Sequence, residues 1–144
     1  MRKQSAEDVE ELKQTLRRWQ DIEQASIAQT GQIIQKTENP LIKLIMEIVR
    51  QDSTMHYRVQ QAMLDSLEKE AFHLTPEELA AIWDLVEKHA EMEKETIELA
   101  EKARKNCHLF TQRHLLSYLV DDEKKHDKML AQLEDFKRNI YPYA

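Results

Sequence analysis

The sequence contains very little glycine and proline. Of its 144 residues, one is glycine and three are proline. These two residue types supply most tight turns and strand bends, so their scarcity argues against a β-rich fold. Charged residues make up 33% of the chain. This composition favours a nearly all-helical fold.

Long apolar runs are also missing. No run approaches the roughly 20 residues needed to cross a bilayer, and the first residues lack the apolar core of a secretory signal. The single cysteine, Cys107, cannot form an internal disulfide, which fits a reducing compartment. We therefore expect a soluble, cytoplasmic protein with no membrane partner.

Concentrated positive charge is absent as well. The formal net charge is -6, and it is spread along the chain. There is no cluster of lysine and arginine interleaved with aromatic residues, the pattern of nucleic-acid-binding surfaces. We therefore expect no nucleic-acid partner.

Helix starts are marked clearly in the sequence. Ser5 precedes an acidic first turn, Asn39 precedes a proline, and Thr75 begins a capping box with a proline at the first helical position. A fourth start lies near Thr111. These signals predict one domain, residues 1–144, with helices at about 5–36, 40–69, 76–105 and 111–138.

The predicted connections are short. Helices joined in this way usually pack as antiparallel neighbours. We therefore expect an all-α fold, an antiparallel four-helix bundle. The alternative is an exchange of helix pairs between two copies of the chain, which would make a homodimer.

Each predicted helix carries a stripe with alternating spacings of three and four residues, apolar at its ends and ionisable in its middle. Polar residues are costly on such a stripe, so they indicate a function. The second half repeats the first at an offset of 70 residues, which gives the fold a pseudo-twofold repeat. The paired positions are Glu23 with Glu93, Asp52 with Asp122, and His56 with His126.

The ionisable positions fall at one height. At about 1.5 Å per residue, Glu23 and Asp52 lie equally far from the turn that joins the first two helices. His56 and His89 lie about equally far from the second turn, and Glu93 and Asp122 from the third. Two helices that each offer an aspartate and a histidine one turn apart, with a glutamate from each of the other two, can hold two metal ions. The predicted ligands are Glu23, Asp52, His56, Glu93, Asp122 and His126.

Two further residues lie beside this set. His89 is either a ligand or a hydrogen-bonding neighbour of one. Glu123, three residues before His126, could bind beside Asp122 or replace it. We expect it to support the ligands, because its repeat partner Ser53 cannot bind metal in that way. The competing interpretation of the whole set is a buried polar network that fixes helix register.

Three segments, DSTMH (52–56), HAEMEKETIELAE (89–101) and DDEKKH (121–126), resemble the ferritin-like superfamily, particularly its small rubrerythrin-related proteins. The resemblance implies a di-iron centre that reacts with dioxygen or hydrogen peroxide. The chain departs from the family pattern in the second predicted helix (40–69), where Asp-x-x-x-His replaces Glu-x-x-His. It also has no Cys-x-x-Cys segment, so electrons must come from a separate donor.

The leading hypothesis is a di-iron oxidoreductase of the ferroxidase or peroxidase type. Iron suits mixed oxygen and nitrogen ligands, although manganese or zinc would fit the same donors. A second hypothesis is a non-catalytic bundle that stores or delivers metal. A third is a structural bundle whose polar core binds no metal.

Overall fold

The computed structural model describes residues 4–139, which form helices and contain no strand. The all-α expectation is confirmed. None of the helices in this range combines the length and the apolar character needed to cross a membrane. The helices are α1 (Ala6–Lys36), α2 (Pro40–Glu68), α3 (Pro76–Ala80), α4 (Trp83–Asn106) and α5 (Phe110–Asn139).

The chain divides into two compact units between Ala71 and Phe72. The first unit is an antiparallel hairpin of α1 and α2. The second contains α3 and an antiparallel hairpin of α4 and α5. Each hairpin packs two long helices against one another, and this arrangement positions the candidate ligands described below.

The caps of the first hairpin lie where the sequence places them. Ser5 Oγ accepts a hydrogen bond from the Asp8 backbone N–H at 3.1 Å, and Asp8 Oδ2 accepts one from the Ser5 N–H at 3.0 Å. Asn39 Oδ1 accepts from the N–H groups of Leu41 and Ile42, at 3.0 and 3.2 Å. These bonds satisfy helix-start donors that otherwise lack partners.

The interior of the first hairpin is largely polar. Leu16 and Leu64 are its buried apolar side chains, at 2% and 3% exposure. Beside them, the Gln20 side-chain amide donates to Gln61 Oε1 at 3.0 Å, and the Ser26 and Ser53 hydroxyls lie 2.9 Å apart. Hydrogen bonds across the hairpin therefore act beside apolar packing in fixing its register.

The face that α2 turns towards α1 differs from the predicted stripe. The stripe through Asp52, His56 and Val59 is exposed, whereas Ser53 and Gln60 are buried. Neighbouring residues differ by about 100° around a helix, so the packed face is rotated by one residue position. His56 lies at the edge of that face, from which its side chain reaches α1.

The second unit corrects one helix prediction. The helix expected over 76–105 is interrupted at Ala81 and Ile82, which separates α3 from α4. The Ile82 N–H donates to the carbonyl of Leu79, three residues back, at 3.2 Å, and Ile82 has φ -118° and ψ -1°. This tighter turn ends α3 after five residues, with Leu79 buried at 2% exposure.

The turn between α4 and α5 is fastened by an arginine. Arg113 Nη1 donates to the carbonyls of Arg104 and Cys107, at 3.1 and 2.9 Å. These acceptors lie at the end of α4, where carbonyls lose their helical partners. The bonds hold the first turn of α5 against the end of α4, and Val120 is buried at 1% exposure further along.

Candidate metal centre

A compact group of potential ligands lies in the second unit. Glu93 on α4 and Glu123 and His126 on α5 each offer a ligand atom, and these atoms all lie within 4.8 Å of one another. Glu123 and His126 share a helix face because they are three residues apart. Glu93 projects from the opposing helix and is only 8% exposed. The hairpin thus places two carboxylates and an imidazole around one point.

Two atoms, His126 Nδ1 and Glu93 Oε1, make most of the short contacts within this group. His126 Nδ1 lies 3.7 Å from Glu93 Oε1 and 3.6 Å from Glu123 Oε2. The same oxygen of Glu93 lies 3.0 Å from His89 Nε2, one helical turn earlier on α4. His89 therefore contacts the group and remains a candidate for a fourth ligand.

Asp122 faces the other nitrogen of His126. Its Oδ2 lies 3.4 Å from His126 Nε2, while its Oδ1 accepts from Lys125 Nζ at 2.7 Å. A histidine that binds metal through one nitrogen usually donates its other N–H to a carboxylate, which fixes the ring. Asp122 lies where such an orienting carboxylate would lie, and Glu123 rather than Asp122 belongs to the group of Glu93, Glu123 and His126.

A protonated Glu123 can donate a hydrogen bond to the Glu93 carboxylate. That bond lowers the pKa of Glu93, an effect that the nearby His126 and His89 reinforce. The same bond raises the pKa of Glu123, and burial and the charge of Glu93 raise it further. Glu93 Oε2 is buried and has no donor among residues 4–139 other than a protonated Glu123. The pair therefore favours either a proton or a cation between the carboxylates.

The first unit brings together a smaller group. Glu23 is buried at 6% exposure, and its Oε1 lies 3.3 Å from His56 Nδ1. The Asp52 side chain is exposed and makes no hydrogen bond or ion pair with another described residue. Ser53, which corresponds to Glu123 in the repeat, bonds to Ser26. Of the predicted ligands in this unit, the hairpin pairs only Glu23 and His56.

An open groove of about 560 Å³ adjoins the group in the second unit. One end is polar, with His89, Glu93 and His126, and the remainder is mostly apolar. The imidazoles are partly accessible, since the side chains of His89 and His126 are 56% and 43% exposed. A small molecule or ion could therefore reach the group from solvent. The remaining lining residues are Met129, Leu130, Gln132, Leu133 and Phe136.

One signal for Glu123 was present in the sequence. Glu-x-x-His places a carboxylate and an imidazole one turn apart, as does Asp-x-x-x-His. The repeat argument gave preference to Asp122 because its counterpart Asp52 is also acidic. The two halves differ at this position, where Ser53 corresponds to Glu123, so the repeat gave no support for Glu123.

Comparison of the chain with protein-family models, with curated proteins and with solved structures found no match.

Proposed function

We propose that this protein binds divalent transition-metal ions, and that Glu93, Glu123 and His126 hold one of them. The observation that carries the proposal is the buried Glu93 carboxylate, which faces a second carboxylate and an imidazole nitrogen and has one oxygen without a fixed donor. A cation there would satisfy both carboxylates at once. Mixed oxygen and nitrogen donors suit iron, manganese and zinc.

The two separations that join His126 to the glutamates fit a single ion. Metal–ligand bonds of about 2.0–2.2 Å place two ligands of one ion no more than about 4.4 Å apart. The 3.6 and 3.7 Å separations around His126 Nδ1 lie within this limit. Asp122 would hold the imidazole through Nε2, and His89 lies close enough to Glu93 to join or support the ligands.

The proposal extends to an antiparallel four-helix bundle with two metal ions. It would form within one chain or by exchange of helix pairs between two chains. Glu23 and His56 would supply ligands to the second ion, with Asp52 beside them. The buried carboxylate of Glu23 and its contact with His56 support this extension.

Iron is the metal that we propose for the reaction, and dioxygen or hydrogen peroxide is the proposed oxidant. Bound iron would supply the electron-transfer chemistry, with a separate protein or small molecule as electron donor. The residues of the chain would balance the charge of the ion, fix the orientation of His126 and leave a coordination position open towards the groove.

Metal storage or delivery is a second candidate. The partial exposure of His89 and His126 and the open groove favour an ion that can exchange with solvent. This function needs binding without turnover. It is distinguished from the oxidoreductase by iron oxidation: aerobic Fe(II) would be oxidised no faster with the protein than in buffer.

Metal binding is tested by equilibrium dialysis of the full chain against Zn²⁺, and against Fe²⁺ without oxygen. The Glu93→Gln and His126→Ala variants should each bind the ion at least about tenfold more weakly. Glu101→Gln is the matched control, because Glu101 is a carboxylate on the same helix that pairs with Lys124 at 2.9 Å. It should bind like the unaltered protein.

Thermal unfolding provides an independent measurement. An ion bound only by the folded state raises the melting temperature as its concentration increases above Kd. If the unaltered protein binds no ion and chelators leave its melting temperature unchanged, the cluster is a polar network that fixes packing, and the proposal is wrong.

A further inference from the structure

We infer that the two units bind metal unequally and in a fixed order, with the first ion entering the second unit at Glu93, Glu123 and His126. This inference rests on the proposed function and deepens it. It concerns the affinity and order of two ions rather than the existence of a site.

The number of ligands differs between the hairpins. The second unit supplies three ligand atoms within 4.8 Å of one another, and His89 lies 3.0 Å from Glu93. The first unit pairs only Glu23 and His56, at 3.3 Å. A site with three or four protein ligands already in place binds more tightly than one with two, because fewer groups must be ordered during binding.

The difference lies at two positions of the repeat. Ser53 stands where the second unit has Glu123, and Trp19 stands where it has His89. The Ser53 hydroxyl is engaged with Ser26 at 2.9 Å. Trp19 is 51% exposed and its indole cannot ligate a metal ion. The first unit therefore lacks the ligands that complete the group in the second.

The charges of the two units also favour binding of the first ion in the second unit. In the first unit the buried carboxylate of Glu23 has one imidazole partner, His56, whose Nδ1 lies 3.3 Å from Glu23 Oε1. The second unit holds two facing carboxylates, and Glu93 Oε2 is buried without a fixed donor. A divalent cation compensates two carboxylates better than one. The electrostatic attraction for the ion is greater in the second unit.

The order of binding is tested by a Zn²⁺ titration of the full chain, with ions counted per chain. His126→Ala should raise the Kd of the first ion at least about tenfold. His56→Ala should change that Kd less than about twofold and remove or weaken only the second ion. These two variants form a matched pair, because the histidines occupy equivalent positions of the repeat.

A gain of affinity provides the converse test. Ser53→Glu places a carboxylate three residues before His56, as Glu123 stands before His126. It should lower the Kd of the second ion at least about tenfold, whereas Ser53→Gln, of the same size and without charge, should not. Because Ser53 is buried, helical circular dichroism first establishes that each variant is folded.

The results separate the inference from the proposed function. If no variant and no unaltered protein binds Zn²⁺, the proposed function fails. If the protein binds Zn²⁺ but His56→Ala and His126→Ala weaken the first ion equally, binding stands and the order is wrong. Tight first binding that survives His126→Ala and is lost in His56→Ala would reverse the order.

Discussion

Asp122 and Glu123 are adjacent acidic residues that face different nitrogens of the same histidine. Glu123 Oε2 lies 3.6 Å from His126 Nδ1, and Asp122 Oδ2 lies 3.4 Å from His126 Nε2. Glu123 has a carboxylate oxygen within 4.8 Å of one of Glu93, whereas Asp122 also forms an ion pair with Lys125. Their substitutions should therefore have different effects on metal binding.

Asp122→Asn should weaken metal binding by about 10- to 100-fold while leaving the number of ions per chain unchanged. The amide can still contact His126 Nε2, but it loses the charge that strengthens the imidazole as a ligand, and such losses have this magnitude. Equilibrium dialysis with Zn²⁺ measures both quantities. Loss of the ion itself, with Glu123→Gln showing the milder effect, would return the ligand role to Asp122.

The hydrogen bond between Glu93 and Glu123 should make the stability of the metal-free protein depend on pH. The raised pKa of Glu123 stabilises the folded state fully below the ordinary value of 4.5, and this contribution is lost as pH rises through the folded pKa. The lowered pKa of Glu93 acts oppositely, since its contribution is present above 4.5 and is lost as pH falls through the folded pKa.

Glu123→Gln should remove only the first of these dependences. Its amide can donate to Glu93 at every pH, so the variant should gain stability over the unaltered protein as pH rises above 4.5, the ordinary glutamate value. Chemical unfolding in a chelator, followed from about pH 4 to about pH 8, gives the difference directly, because this range begins just below the ordinary glutamate pKa. A difference independent of pH would show that the carboxylates do not share a proton.

The residue types of the cluster could be predicted from the sequence, but their roles could not. Ionisable residues on an otherwise apolar stripe are costly, so Glu93 and His126 were identifiable by position alone. Spacings of three and four both place side chains on one helix face, so spacing could not choose between Asp122 and Glu123. That choice depends on side-chain rotamers and on the opposing helix.

Helix starts were predictable because their causes are local. The side chains of Ser5, Asn39 and Thr75 each accept a hydrogen bond from a backbone N–H two or three residues ahead. The interruption at Ala81 and Ile82 has no such mark, because neither glycine nor proline stands there. The Ile82 N–H bonds to the carbonyl three residues back, at Leu79, in a segment whose residues are equally compatible with a regular α-helix.

Substitution of Leu16, one of the two buried leucines of the first hairpin, tests how α1 packs against α2. Leu16→Ala should reduce the free energy of unfolding by about 2 to 5 kcal/mol, the usual effect of removing a buried leucine side chain. Leu16 is 2% exposed and lies on the packed face of α1 with Gln20 and Glu23. Chemical unfolding followed by circular dichroism measures the change.

Gln14→Ala is the control for that substitution. Gln14 is exposed on the same helix, and alanine is at least as good a helix former, so stability should change by no more than about 0.5 kcal/mol. Equal effects of the two substitutions would mean that α1 does not pack through the face that contains Leu16.

Across the whole molecule, the apolar residues of the predicted stripes account for much of the exposed apolar surface. Val49 and Val59 on α2 are 40% and 52% exposed, and Leu119 and Met129 on α5 are 45% and 57% exposed. Large exposed apolar patches are uncommon on soluble monomers and usually mark an interaction surface. The proposed four-helix bundle would cover these stripes, which explains their heptad spacing better than solvent exposure does.

Val59→Asp tests whether the α2 stripe is covered in solution. A buried, unpaired charge is strongly unfavourable, so in a bundle this substitution should lower stability by at least about 2 kcal/mol and weaken any self-association. Gln51→Asp introduces the same charge on the same helix, outside the stripe, and should change stability by no more than about 0.5 kcal/mol. Chemical unfolding and sedimentation velocity distinguish the cases. If both variants behave like the unaltered protein, the stripe faces solvent and the bundle proposal fails, while the cluster of Glu93, Glu123 and His126, which a single hairpin forms, is unaffected.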